Sequence, residues 1–311
     1  MTCSIGLVLG SGAARGWGHI GLLRVLEAAG IVPDIVCGTS IGAVVGAVYV
    51  TGDLARLERW ARRLTKARVG RLFDFQFGHG GLIGGQRLLA ALEPLLRGKT
   101  IEQLPRRFGC VATDIETGQE VWLREGSLID AVRASYSVPG IFPAIRLGAR
   151  CLVDGALVNP VPITLCRALG AQVVIASDVN ADIMGHGPSH SETVEFAPSA
   201  MTEATKSGFI HGYFTHRHDV PSAFTALTRS LHIIQDHIGR MRLAHDPPDV
   251  HICSNVGKVG PVEFYRADEC IAAGEAAAVQ ALAEIRNAIQ TFEAGEHPAA
   301  SSLHANLSRE R

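Results

Sequence analysis

An apolar stretch at residues 35–50, interrupted by Gly38, Thr39 and Ser40, constrains the fold more than any other feature of the chain. It is shorter than the roughly 20 residues that a membrane-spanning helix needs. The interruption divides it into a short strand and a helix at 41–49 that is apolar on every side. Since a helix without a polar face is expected to be buried, the sequence predicts a core in which a strand runs directly into a buried helix.

Strands and helices alternate along the chain. The predicted strands are 4–9, 34–37, 108–114, 120–123, 144–147, 151–153, 172–178 and 250–253. The other predicted helices are 17–29, 53–71, 87–96, 128–134, 163–169, 223–243 and 267–289. This alternation predicts an α/β fold of three layers, in which a mostly parallel central sheet has helices on both faces.

No boundary is strong enough to divide the chain, so residues 1–293 are expected to form one domain. Its core motifs lie within 4–180, and a helical C-terminal part covers about 200–290. Residues 78–85 and 182–200 are expected to be loops, the second either a lid or a plain linker. Residues 294–311 are expected to be a disordered tail.

Composition excludes some classes of protein. The formal net charge is −1, so the basic surplus of a nucleic-acid binder is missing. Seven scattered cysteines without a CxxC pair favour reduced thiols over a disulfide framework or a zinc site. The N-terminal residues are typical of a strand rather than a signal peptide. We therefore expect a cytoplasmic protein, either free or peripheral to the inner face of the membrane.

The first candidate site is the sequence Gly-Thr-Ser-Ile-Gly at 38–42, a GxSxG pattern between a strand and an apolar helix. On such a turn the serine hydroxyl projects from the edge of the sheet, which makes Ser40 a candidate nucleophile. The positive end of the following helix favours negative charge beside it. The alternative is a glycine-rich turn that contains an incidental serine.

The second candidate site is the sequence Gly-Ser-Gly-Ala-Ala-Arg-Gly at 10–16, again between a strand and a helix. A dinucleotide-binding GxGxxG would need glycine where Arg15 stands. The better interpretation is an oxyanion hole, in which the N–H groups of Gly12 and Ala13 stabilise charge that develops when Ser40 attacks a carbonyl. Arg15 either supports this loop or forms a surface salt bridge.

The third candidate is Asp154, which follows the strand at 151–153 and precedes Gly155 and Ala156. An acid just past a strand lies at the ligand-binding edge of an α/β sheet. The alternative is a turn aspartate that only caps its own backbone. The glycines of the three motifs are Gly10, Gly16, Gly38, Gly42 and Gly155.

Histidine does not point to a site. The candidates for a base beyond Asp154 are His211, His216, His218, His232, His237 and His251. Nothing singles one of them out, and the spacing of the first three does not fit one helical face. Surface histidines are the favoured interpretation, and no metal or cofactor is expected.

Taken together, the motifs at 11–16, 38–42 and 154–156 resemble those of the patatin-like phospholipase family, in the family's order and spacing. Further similar stretches lie at 16–21, 135–143, 158–162 and 246–250, so the resemblance covers roughly residues 4–290. The family loop often has three consecutive glycines, and here Ser11 and Ala13 replace the first and the third.

The resemblance implies a serine hydrolase of lipid acyl esters, acting in lipid catabolism or membrane lipid turnover through a Ser40–Asp154 dyad without histidine. Asp154 would accept the Ser40 proton, and an acyl-enzyme would then be hydrolysed. Two alternatives stay open: an acyltransferase on the same dyad, and a non-catalytic nucleotide or anion sensor. The basic helix at 53–71 is interpreted either as a solvated face or as a contact for anionic lipid headgroups.

Overall fold

A computed structural model describes residues 3–72, 86–181 and 223–295. Its strands are β1 (Ile5–Leu9), β2 (Ile35–Thr39), β3 (Arg107–Asp114), β4 (Glu120–Leu123), β5 (Ile145–Leu147), β6 (Arg150–Asp154), β7 (Val173–Asp178) and β8 (Val250–Cys253). The predicted loops at 78–85 and 182–200 and nearly all of the predicted tail lie outside the described residues.

The helices agree with the predicted ones to within a few residues, with one exception discussed below. They are α1 (Gly18–Ala28), α2 (Ile41–Val50), α3 (Leu54–Arg62), α4 (Lys66–Leu72), α5 (Gln86–Leu96), α6 (Leu128–Ser135), α7 (Ile163–Ala168), α8 (Ala223–His245) and α9 (Ala267–Glu293). Short 3₁₀ turns at Ala13–Trp17 and Gly155–Leu157 follow β1 and β6.

The strands form one eight-stranded sheet in the order β5-β6-β3-β2-β1-β7-β8, and β4 also pairs with β3. Strands β3, β2, β1, β7 and β8 are parallel. Strands β4, β5 and β6 form an antiparallel extension at one side. The predicted, mostly parallel sheet is therefore confirmed.

Successive residues of β1 point to opposite faces of the sheet and enter two separate cores. Leu7 and Leu9 belong to the larger core, which also holds the buried sides of α1, α2 and α9. Val8 belongs to the second core, with residues of α7 on the opposite face. Helices thus cover both faces, which gives the predicted three layers. Every residue of α2 is buried, as its uniformly apolar sequence predicts.

The prediction of one continuous basic helix over 53–71 is wrong. The chain forms α3 and α4 instead, because α3 ends in a turn at Arg63 and Thr65 begins a new helix. The Thr65 hydroxyl accepts a hydrogen bond from the Arg68 N–H at 3.3 Å, as a helix-capping side chain does. Among the described helices, none combines the length and apolarity needed to cross a bilayer.

Candidate active site

The GxSxG segment forms a sharp turn between β2 and α2. Ser40 is the turn residue and has φ 58° and ψ −120°, an unusual conformation for a residue with a side chain. Gly42 allows the turn to close, since a Cβ there would lie 2.0 Å from the Leu9 carbonyl oxygen. The turn therefore presents the Ser40 hydroxyl at the end of β2, as the sequence motif predicts.

The Ser40 hydroxyl contacts the carboxylate of Asp154. Its Oγ donates a hydrogen bond to Oδ2 of Asp154 at 2.6 Å, across 114 residues of sequence. Both side chains are buried, Asp154 almost completely. The other carboxylate oxygen, Oδ1, accepts the Ala156 N–H at 2.8 Å. The side chain therefore caps its own turn and also contacts Ser40.

Asp154 reaches Ser40 by a different route from the one that the sequence suggests. Strand β6 is antiparallel to β3, so the rule that parallel strands end at one edge does not by itself place Asp154 there. The register places Asp154 beside Ala112, while the neighbouring Val111 pairs with Thr39. This register brings the end of β6 level with the end of β2, and Ser40 and Asp154 face each other.

Burial raises the pKa of Asp154 from 3.8 to about 7, against the smaller opposing effects of the hydrogen bonds from Ser40 and Ala156. The cause is the loss of solvation of the charged carboxylate in a low-dielectric site. A carboxyl group with a pKa near neutrality exchanges protons readily at physiological pH, which suits a general base.

The glycine-rich loop lies on the other side of Ser40. The N–H groups of Gly12 and Ala13 have no hydrogen-bond acceptor among the described residues, whereas those of Ser11 and Ala14 are bonded to Pro160 O and Pro261 O. Ala13 adopts φ 50°, a conformation that the family's usual glycine would reach at lower cost. Gly12, Ala13 and Ser40 line the same pocket, so two free donors are available near the serine hydroxyl.

The Arg15 side chain lies inside the protein rather than on its surface, and it forms no salt bridge with the described residues. The side chain is buried, and its Nε donates a hydrogen bond to the Val259 carbonyl at 2.7 Å. Burial lowers the pKa of its guanidinium below the usual value for arginine. The arginine therefore ties the end of the loop to the segment after β8. It occupies the position at which a dinucleotide-binding loop would need glycine.

Two residues that position the loop have no distinctive signal in the sequence. The side-chain amide of Asn180 donates to the Ser11 carbonyl at 2.7 Å. His19 is fully buried, and its Nε2 donates to the Gly10 carbonyl at 2.9 Å while Nδ1 accepts from the Ser177 hydroxyl at 3.0 Å. Burial lowers the pKa of His19 to about 4, so this imidazole is neutral and structural at physiological pH.

The other histidines do not form a triad with Ser40 in the described part of the chain. His211, His216 and His218 lie outside the described residues. His232 is half-buried in the wall of the pocket, and its Nδ1 contacts the Thr228 carbonyl at 2.7 Å. His251 lies at the edge strand β8, where hydrogen bonding to Asp178 raises its pKa to about 10.

The pocket above Ser40 has a volume of about 120 Å³ and an almost wholly apolar lining. Its walls come from several separate parts of the chain, including Trp17, Trp60, Leu92, Phe142 and Leu231. Trp17 and Trp60 meet edge to face, with ring centroids 5.9 Å apart. The contribution of α8 could not be read from the sequence, because the helix lies far from the motifs along the chain. The cavity suits an acyl chain whose carbonyl carbon lies at Ser40.

Comparison with known proteins gives one consistent result. The family model described as Patatin-like phospholipase matches residues 7–167, about half of the chain. An NTE family protein of Mycobacterium tuberculosis is 29% identical over 89% of this chain and 91% of its own length. A patatin-like phospholipase domain-containing protein of Caenorhabditis elegans is 38% identical over 57% of this chain and 14% of its own.

The human patatin-like phospholipase domain-containing protein 6 is 34% identical over 60% of this chain and 14% of its own length. Among solved structures, VipD from Legionella pneumophila aligns with 57% of this chain and 50% of its own, at 12% identity and a TM-score of 0.38. That likeness is too low to support an argument. The sequence matches support the family named by the motifs, and with it a lipid hydrolase at the level of the family.

Proposed function

We propose that this chain, which belongs to the patatin-like phospholipase family, hydrolyses fatty-acyl esters of lipids with Ser40 as nucleophile and Asp154 as general base. The observation that carries the proposal is the 2.6 Å hydrogen bond from Ser40 Oγ to Asp154 Oδ2 beneath an apolar pocket. A serine hydroxyl is a weak nucleophile until a base accepts its proton, and Asp154 is the base in contact with it.

The reaction proceeds in two steps. As Oγ attacks the ester carbonyl, its proton passes to Asp154 Oδ2, and the carbonyl oxygen becomes an oxyanion stabilised by the N–H groups of Gly12 and Ala13. The tetrahedral intermediate expels the alcohol, which takes the proton from Asp154. Water then gives a proton to Asp154 and attacks the acyl-enzyme, and Ser40 regains its proton as the fatty acid leaves.

The test compares wild-type protein with Ser40→Ala and Asp154→Asn on p-nitrophenyl butyrate and on a phospholipid. Both variants should lose at least about a hundredfold in kcat, because one lacks the nucleophile and the other the base. A fluorophosphonate probe should label the wild-type protein at Ser40. Equal activity in all three proteins would refute the dyad.

The acyltransferase alternative uses the same acyl-enzyme and differs only in the acceptor. Incubation with a phospholipid and a glycerolipid alcohol, followed by product analysis, separates the two. We expect free fatty acid as the product, since the pocket walls are apolar and offer few polar groups to orient a second alcohol. An acylated acceptor formed in preference to fatty acid would favour the transferase.

Helices α3 and α4 are proposed as a contact for anionic lipid headgroups. Their acids Asp53 and Glu58 are already engaged in ion pairs, with Arg56 and Arg62 among the partners. Exposed basic side chains remain at Arg59, Arg63 and Arg68. In a flotation assay, the wild-type protein should rise with phosphatidylglycerol vesicles, and a variant with these three residues changed to Gln should remain unbound.

A further inference from the structure

Ser135 is a buried serine whose hydroxyl touches the turn that carries the nucleophile. It is the last residue of α6 and is fully buried. Its Oγ accepts a hydrogen bond from the backbone N–H of Ser40 at 3.0 Å. The same hydroxyl donates to the carbonyl of Val111 in β3 at 2.7 Å. One side chain thus bridges the backbone of Ser40 and that of the neighbouring strand.

The Ser40 N–H depends on this hydroxyl. The ladder between β2 and β3 ends with Thr39 opposite Val111, and Ser40 precedes the first residue of α2. Its N–H therefore has no hydrogen-bond partner in the β2–β3 ladder or in α2, and Ser135 supplies the acceptor in the described structure. A buried N–H without a partner is costly, and Ser40 already adopts a sparsely populated conformation with φ 58°. The contact helps to stabilise that conformation.

Through this bridge, the backbones of both Ser40 and Asp154 are held by the same strand, β3. Ser135 attaches Ser40 to Val111, and the next residue of β3, Ala112, pairs with Asp154. Adjacent residues of β3 therefore fix the backbone on each side of the contact between Oγ and Oδ2. A shift of Ser40 against β3 would change that 2.6 Å distance directly, and small displacements of this kind reduce rates strongly.

We infer that Ser135 is a positioning residue for the nucleophile, which holds the Ser40 turn in register with Asp154 through its paired hydrogen bonds. The inference rests on the proposed function. Ser135 is absent from the residues that line the pocket, so it acts through the backbone of Ser40 rather than through contact with substrate. Removing its hydroxyl should slow the attack by Ser40 and leave substrate binding nearly unchanged.

The experiment uses Ser135→Ala, which removes the hydroxyl, and Ser135→Cys, which keeps the volume but bonds only weakly. Ser254→Ala is the matched control, because Ser254 is also fully buried and its hydroxyl has no partner among the described residues. The rate of fluorophosphonate labelling at Ser40, the fraction labelled at completion, and kcat and KM for p-nitrophenyl butyrate are measured under reducing conditions.

Both Ser135 variants should be labelled completely, but about 10- to 100-fold more slowly than the wild-type protein. Their kcat per labelled site should fall by a similar factor, and their KM should stay within about twofold of the wild-type value. Ser254→Ala should match the wild-type protein. A merely structural role would lower the labelled fraction and leave the rate per labelled site unchanged. If Ser135→Ala does not fold, Ser135→Cys carries the comparison.

The outcomes separate this inference from the function on which it rests. If the wild-type protein reacts and a folded Ser135 variant reacts as fast per site, Ser135 does not position Ser40 and the dyad is untouched. If the wild-type Ser40 is neither labelled nor active, the proposed function fails and the inference fails with it.

Discussion

Replacing Asp154 with Asn should stabilise the protein at alkaline pH while it removes the activity. Asp154 is almost completely buried, and its partners are a hydroxyl and a backbone N–H rather than a cation. A carboxylate in such a site carries a desolvation cost that a neutral amide of the same shape avoids. If Asp154 is the base proposed above, this cost is an example of stability exchanged for function.

The magnitude follows from the pKa of the carboxyl group, which rises from 3.8 to about 7 on folding. Below pH 3.8 the group is protonated in both states and the shift has its full stabilising effect. As the pH rises towards 7 the unfolded state ionises first, so the free energy of unfolding falls until the folded carboxyl also ionises. A difference of about three pKa units corresponds to about 4 kcal/mol above pH 7.

The assay is thermal unfolding of the wild-type protein and Asp154→Asn between pH 5 and pH 8.5. The variant should unfold at a temperature roughly 5–10 °C higher at pH 8.5, and the difference should shrink as the pH falls. Glu284→Gln, an exposed change on α9, serves as the control and should show no trend with pH. An Asp154→Asn variant that is less stable at pH 8.5, or a difference independent of pH, would refute the reasoning.

Three further predictions concern the pH profile, the turn and the pocket. The value of kcat/KM for p-nitrophenyl butyrate should rise about tenfold per pH unit below pH 7 and level off above it, because only ionised Asp154 accepts the proton; a flat profile between pH 5 and pH 8 would contradict this. Gly42→Ala should lower the free energy of unfolding by about 3 kcal/mol and abolish labelling at Ser40, since the new Cβ would meet the Leu9 carbonyl at 2.0 Å. Denaturant unfolding measures this change. Gly70→Ala is the control: its new Cβ would meet nothing within 4 Å, and the substitution should stabilise α4 slightly because alanine favours a helix more than glycine does. Trp60→Ala should shift the preferred p-nitrophenyl ester to a longer acyl chain, since the pocket loses a wall; an unchanged chain-length profile would show that the acyl group lies elsewhere.

The sequence predicted most of the secondary structure, because the signals involved are local. Apolar runs, glycines and alternating elements located the strands and helices to within a few residues. The error at 53–71 has a local origin too. The basic, amphipathic pattern continues through the break between α3 and α4. Only the structure shows that Thr65 caps α4 by accepting the Arg68 N–H.

The candidate site was partly predictable for the same reason. Ser40, Gly12 and Ala13 lie in motifs whose geometry is set by a few neighbouring residues, and the structure forms both turns. Asp154 was selected by its position after a strand and by the family resemblance, and its contact with Ser40 spans 114 residues. Its catalytic role stays a prediction until the variants are measured.

What the sequence alone determined is the set of local turns: a strand that ends in a strained serine, and a tight glycine-rich loop after the first strand. Steric limits on the backbone set these features within a few residues. The tertiary structure decided the rest. The antiparallel register of β6 placed Asp154 beside Ser40, burial moved its pKa towards 7, and α6 brought the Ser135 hydroxyl to the Ser40 N–H. Distances and desolvation depend on residues that are remote in sequence, and these two quantities determine whether a serine beside a carboxylate can react.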